Sequence, residues 1–235
     1  VLKNESTHYK MSFKNNLYSS ITNQVVCKKS TLVIVVMALA VAVSAQNNTS
    51  GNKITAGLKA GFNYANVWDE QGQDFEADPK VGFAGGAFIG IPLGDYAGFQ
   101  PELLLSQKGF KGSGTLLGTG YSMTRTTTYL DIPLQLQIRP ATFFTLLIGP
   151  QYSYLLRQKD VYTLGANSYA QKQEFDRDNI RKNILGFVVG ADVNINHLVL
   201  SARFSWDFQT NNGDGSSSTP RYKNQWLQFT FGYKI

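Results

Sequence analysis

A chain of 235 residues with 43% hydrophobic content and slightly negative mean hydropathy leaves no room for a bundle of membrane-crossing helices. Charged residues make up only 16%, aromatics reach 13% and glycines number 22, a mix that suits sheets with large contact surfaces better than helices. The formal charge of +6 does not indicate nucleic acid as a partner: Lys3, Lys10, Lys14, Lys28, Lys29 and Glu5 fall in a predicted leader, and losing them lowers the charge to +2.

The leader spans residues 1–45. Lys28 and Lys29 precede the apolar run TLVIVVMALAVAV (31–43), which is followed by Ser44, Ala45 and Gln46. Thirteen apolar residues are too few to span a bilayer as a helix. With a basic start and small residues at 43–45, they describe a secretory signal peptide cleaved after Ala45. Met11, with Lys14 close behind, begins a more usual leader than Val1 does. Cys27, the single cysteine, leaves with the leader, so disulfides and thiolate metal sites are not expected beyond it. A short periplasmic segment, 46–52, then leads into one domain, 53–235.

Eight segments of that domain alternate apolar and polar residues with a period of two, the signature of strands with one dry face. Residues 53–67 set Ile54, Leu58, Phe62 and Tyr64 against Thr55, Lys59 and Asn63, and 81–91 set Val81, Phe83, Ile89 and Ile91 against glycines and Ala84. Residues 96–108 place Phe99, Leu103 and Leu105 opposite Gln100, Glu102, Ser106 and Lys108. The clearest case is Leu130, Ile132, Leu134, Leu136 and Ile138, interleaved with Asp131, Pro133, Gln135, Gln137 and Arg139. Residues 143–157 carry Phe144, Leu146, Ile148, Tyr152, Tyr154 and Leu156 against Thr145, Gln151, Ser153 and Arg157. In 185–195 the odd-numbered residues are apolar and face away from Asp192 and Asn194. In 198–208, Leu198, Leu200, Phe204, Trp206 and Phe208 oppose Ser201, Arg203, Ser205 and Asp207. The last segment, 225–235, sets Leu227, Phe229, Phe231, Tyr233 and Ile235 against Gln228, Thr230 and Lys234. Pro101, Pro133 and Pro150 interrupt this pattern, and a bulge or strand end is expected near each.

The connections alternate too. Tight turns are predicted at 93–95, 140–142 and 196–197, and polar loops of roughly 13 to 25 residues after the first, third, fifth and seventh strands. Short turns on one rim and long loops on the other, with an even strand number, predict an all-β fold: an eight-stranded antiparallel transmembrane β-barrel with short periplasmic turns and long extracellular loops. Aromatic residues supply an independent check. Tyr64, Tyr152, Tyr154, Trp206 and Phe208 fall near the outer rim, and Phe99, Phe144, Phe231 and Tyr233 near the periplasmic one, as interface belts require.

A soluble eight-stranded barrel such as a lipocalin would point the apolar parity inward instead. The polar parity decides between them. Lys59, Glu102, Lys108, Asp131, Arg139, Arg157, Asp192, Arg203 and Asp207 alternate with glycines, which suits a narrow lumen filled by ion pairs. The opposite face would be an enormous apolar patch in water. The lumen charges read first as a structural plug and second as a narrow gated pore for ions or small solutes.

Several stretches fit the barrel in its own right. GLKAGFNYANV (57–67), FQPELLLSQKGFK (99–111), YLDIPLQLQIR (129–139), LLIGPQYSYLL (146–156) and FTFGYKI (229–235) resemble the PorT-like outer-membrane β-barrel family of Bacteroidetes. The resemblance covers nearly all of 46–235 and implies an OmpA-like barrel in the cell outer membrane. Its namesake is associated with protein secretion. The final strand resembles the signal read by the barrel-assembly machinery, a partner during biogenesis, although here Ile235 and not an aromatic ends the chain.

Enzymatic chemistry is not expected. His197 is the only histidine beyond the leader and lies in a predicted turn, away from any nucleophile in a shielded pocket. Gly112, Gly114, Gly118 and Gly120 lack the Gly-Lys-Ser/Thr of a phosphate loop. Glu174, Asp176 and Asp178 could offer oxygens to Ca²⁺, but Lys172, Arg177, Arg181 and Lys182 among them favour a solvated mixed-charge loop. No metal or cofactor site is predicted. The expected partners are outer-membrane lipid, lipopolysaccharide whose phosphates meet the basic loop residues, and an unidentified protein at the surface loops.

Overall fold

A computed structural model describes residues 53–69, 77–116, 119–164, 167–172, 180–211 and 222–235. The predicted leader and the carboxylates Glu174, Asp176 and Asp178 lie outside the described residues. Among the described residues nine strands follow in chain order: β1 (Thr55–Asp69), β2 (Ala77–Pro92), β3 (Ala97–Leu116), β4 (Thr119–Ala141), β5 (Phe144–Leu164), β6 (Asn167–Lys172), β7 (Asn183–Ile195), β8 (Leu198–Asp207) and β9 (Tyr222–Lys234). Eight of them close a ring in the order β4-β3-β2-β1-β9-β8-β7-β5, sealed by the β4–β5 ladder. Every pairing is antiparallel, and β1 meets β9 over Gly57↔Lys234 to Asp69↔Tyr222. Closure leaves no edge in the ring, and eight strands enclose a space just wide enough for side chains to fill.

The ninth strand comes from a segment expected to be loop. β6 folds back on the far end of β5, pairing Leu164 with Asn167 and Lys159 with Lys172. The polar stretch after the third strand likewise continues as a hairpin, with only residues 117–118 between β3 and β4. A ladder already in register satisfies each backbone group without an apolar face, and the β-branched run Thr124, Thr126, Thr127, Thr128 favours extension. At the other rim the turns are tight as predicted. Asn196 reaches φ 53°, the left-handed conformation that a two-residue hairpin needs and asparagine tolerates.

The ladder keeps one register on both sides of Pro101, Pro133 and Pro150, against the expectation of a bulge or strand end there, and only a few cross-strand pairs drop out at or beside these prolines. A proline removes one N–H bond but fits extended φ, so no residue need be inserted. Register shifts fall instead between Pro79 and Ala84, between Thr128 and Tyr129, and between Ile138 and Ala141.

The two faces separate as alternation requires. Leu58, Val81, Leu136, Leu200 and Phe231 lie exposed on the outside, while Lys59, Glu102, Lys108, Asp131, Arg203 and Asp207 are buried within. The predicted interface aromatics Tyr64, Tyr152, Tyr154, Phe208, Phe231 and Tyr233 are exposed on the outer surface. Phe99, Phe144 and Trp206 share that face, half-covered.

A candidate functional site in the charged lumen

The lumen is built in three layers. In the layer toward the short-turn rim, Lys59 on β1 forms an ion pair with Glu102 on β3. Arg203 on β8 reaches Asp192 on β7 at 2.7 Å and Glu102 at 3.8 Å. Its Nε donates to Gln135 Oε1 (3.1 Å) and its Nη1 to Ala191 O (2.9 Å), while Gln100 Nε2 donates to Glu102 Oε1 (2.7 Å). Two cations and two carboxylates balance in a buried site, the condition under which buried charge is tolerable. Local sequence makes the room. Gly190 sits opposite Arg203 in the ladder, and a Cβ there would collide with the arginine's own stem.

The middle layer centres on Lys108 of β3, whose Nζ donates to Asp131 Oδ1 (3.1 Å) and Ser153 Oγ (3.3 Å). The same ammonium lies 3.6 Å from the centroid of Trp226 and 4.6 Å from that of Tyr129, a cation–π clamp from opposite walls. Asp207 accepts from Asn224 Nδ2 at 2.5 Å and has no ion-pair partner within 4 Å among the described residues. Among the described residues this layer therefore holds one cation and two carboxylates.

The third layer stands toward the long-hairpin rim, where β4 and β5 continue past Tyr129 and Leu155. Arg125 on β4 grips Asp160 on β5 with both arms of its fork, Nε to Oδ1 (2.9 Å) and Nη2 to Oδ2 (2.7 Å), and Nη1 donates to Tyr222 OH (3.3 Å). Phe110 meets Tyr222 edge-on at 5.2 Å, and Val67 completes a small apolar cap. At the opposite end the lumen opens into a recess of 490 Å³ whose lining includes Lys53, Asp95, Arg139, Asp192 and Lys234, with Phe88 among its apolar walls.

Of the nine charged residues assigned to the lumen by sequence, seven are buried together there: Lys59, Glu102, Lys108, Asp131, Asp192, Arg203 and Asp207. Arg139 is at the mouth, where its Nη2 donates to Gly94 O (3.2 Å) and Ala97 O (2.5 Å) and ties down the β2–β3 turn. Arg157 is a correction. Tyr129 pairs with Leu155 and Thr128 with Arg157, so Leu156 is an extra residue in β5 and inverts the parity beyond it. Arg157 is thus exposed on the outside, and Gln158 and Asp160 turn in. The Arg125–Asp160 layer escaped the sequence reading because both residues lay in predicted loops. The alternation Arg125, Thr127, Tyr129, Asp131 carried the signal. Large apolar side chains also share the lumen, among them Phe88, Leu104, Leu147 and Trp226.

His197 lies exposed in the β7–β8 turn, its Nδ1 3.0 Å from Lys234 O and its ring stacked on Tyr233. Among the described residues no group of three histidine, cysteine or carboxylate side chains could hold a metal.

A closed, eight-stranded antiparallel ring with an apolar exterior and an ionic interior defines a transmembrane β-barrel. The chain belongs to the outer membrane protein beta-barrel domain family, whose model matches residues 44–211, and its place is the outer membrane. No curated protein matches it. Among solved structures it is similar to Ail, the attachment invasion locus protein of Yersinia pestis (12% identity, TM-score 0.42, 77% of this chain and 98% of that one). It is also similar to Neisserial surface protein A (11%, 0.41, 77% and 97%) and to the N-terminal barrel domain of Pseudomonas aeruginosa OprF (12%, 0.35, 77% and 97%).

Proposed function

We propose that this outer-membrane barrel works as a structural or interaction protein without catalytic activity, its lumen plugged and its long hairpins presenting contacts at the cell surface. The observation that carries this reading is the stack of three polar layers, in which Lys59, Glu102, Lys108, Asp131, Asp160 and Arg203 are all nearly inaccessible to water. A solute path would have to break several ion pairs at once. Within the family we assign the chain to the PorT-like kind on the motifs quoted above, which brings an accessory role in protein secretion as a more distant reading. The reading closest to the plug is a narrow channel, supported by the 490 Å³ recess and by Asp207, a buried carboxylate with no ion-pair partner within 4 Å among the described residues.

Conductance separates the two. Purified protein refolded into planar bilayers is expected to leave the membrane at its bare conductance. Discrete ohmic steps of uniform size would overturn the plug and support the channel.

A further inference from the structure

The parity inversion in β5 does more than displace one arginine. Below it, Tyr152, Tyr154 and Leu156 point out to the membrane; beyond it, Arg157 and Lys159 do. Both are exposed, and neither has a hydrogen-bond or ion-pair partner among the described residues. Across the ladder, Thr128 is opposite Arg157 and Thr126 opposite Lys159, and one strand further Lys111 of β3, also exposed, is opposite Thr124. Among the described residues, the carboxylate on this stretch is Asp78 of β2, opposite Lys111.

Height matters as much as charge. Arg157 is three residues beyond Tyr154, about 10 Å along the strand and less along the membrane normal once the strand tilts. The headgroup zone occupies roughly 5–7 Å on each side of the hydrocarbon, and long basic side chains reach along a surface to place their charge there. The stripe therefore begins where acyl chains end and phosphates start. It is also continuous with the apolar face beneath it, so the molecule it fits has a tail against Tyr154 and Ile148 and an anionic, hydroxyl-rich head above. A planar guanidinium matches phosphate oxygens two at a time, and threonine hydroxyls suit sugar hydroxyls.

We propose that Arg157, Lys159 and Lys111, with the hydroxyls of Thr126 and Thr128 between them, form a docking surface for the phosphorylated sugar headgroup of an outer-leaflet glycolipid. The proposal rests on the reading that the hairpin rim faces the cell exterior. A cysteine placed at exposed Ser113 tests that reading by itself: an impermeant thiol reagent should label it on intact cells, and silence there with labelling after outer-membrane permeabilisation would place the rim in the periplasm and end the proposal.

The site is tested with the full chain refolded into phosphatidylcholine vesicles carrying fluorescent diphosphoryl lipid A, lipid A without phosphates, or phosphatidylglycerol. Lipid A should bind best, and an R157Q/K159Q variant should bind it at least about tenfold more weakly, since each basic residue near an anionic surface contributes on the order of a factor of five. A K53Q/K234Q variant, which removes the same charge from the opposite rim, should keep the native affinity. Cold-gel migration reports whether each variant has folded, and Lys111→Gln, away from the bulge, gives a second route if the double variant does not fold. Equal binding of phosphorylated and dephosphorylated lipid A, or equal loss in the opposite-rim control, would overturn the proposal. Preference for phosphatidylglycerol would also overturn it.

Discussion

Along β8, Leu200 and Phe204 are 46% and 40% exposed, while Arg203, one residue from Phe204, is 3% exposed. A single strand thus meets two environments that stabilise it by unrelated means. The outer face gains little from packing on other protein atoms; it is held because lipid is the only solvent that accepts such a surface. The inner face is held by mutual satisfaction: buried Arg203 is stable only while Glu102, Asp192 and Gln135 answer its donors. The outer face should accept most apolar substitutions and refuse charge. The inner face should depend on particular partners and refuse their loss.

Substitutions at neighbouring positions break the comparison from each side. Removing a charge from inside should cost most. Arg203→Ala leaves Glu102 and Asp192 buried with one cation, Lys59, and should lower stability in lipid by about 3–5 kcal/mol, measured by urea unfolding from vesicles. Arg203→Lys, which keeps the charge and loses the fork, should recover part of that. An unchanged midpoint for Arg203→Ala would mean that water already reaches the site. Adding a charge outside comes next. Ala202→Arg, near the middle of the lipid-facing stretch of β8, should cost about 2–4 kcal/mol in the same assay. A negligible effect there would mean that this face is not in hydrocarbon.

Much of this barrel was legible because its alternation is strict. Leu130 to Ile138 and Leu198 to Trp206 each assign inside and outside residue by residue, and the tight turns fix the strand order. What alternation cannot carry is an interruption of itself. Leu155, Leu156 and Arg157 read as a plain continuation, and only the pairing of Thr128 with Arg157 reveals the extra residue. The third layer was hidden for another reason. Arg125 and Asp160 lie where the outward face, at Thr124, Thr126, Arg157 and Lys159, is no longer apolar, and hydrophobic periodicity fades there although the ladder does not. Trp226 and Phe88 lie on the polar parity of their strands and so point into the lumen, but which cation each ring meets, Lys108 or Lys59, is set by pairing across the barrel and not by alternation.

The central claim is a lipid-facing outer surface around a closed lumen, and single cysteines in β8 test it most directly. In a Cys27→Ser background, Ser201→Cys and Ser205→Cys are near-isosteric inward probes, and Ala202→Cys and Phe204→Cys are outward ones. Each is labelled with a fluorophore after unfolding to calibrate, and in the folded protein is exposed to an aqueous maleimide or a lipid-soluble maleimide. Positions 202 and 204 should react from the lipid phase only, and 201 and 205 from neither. Aqueous labelling at 201 and 205 would contradict the closed lumen, and lipid-phase labelling there would contradict the assignment of the two faces.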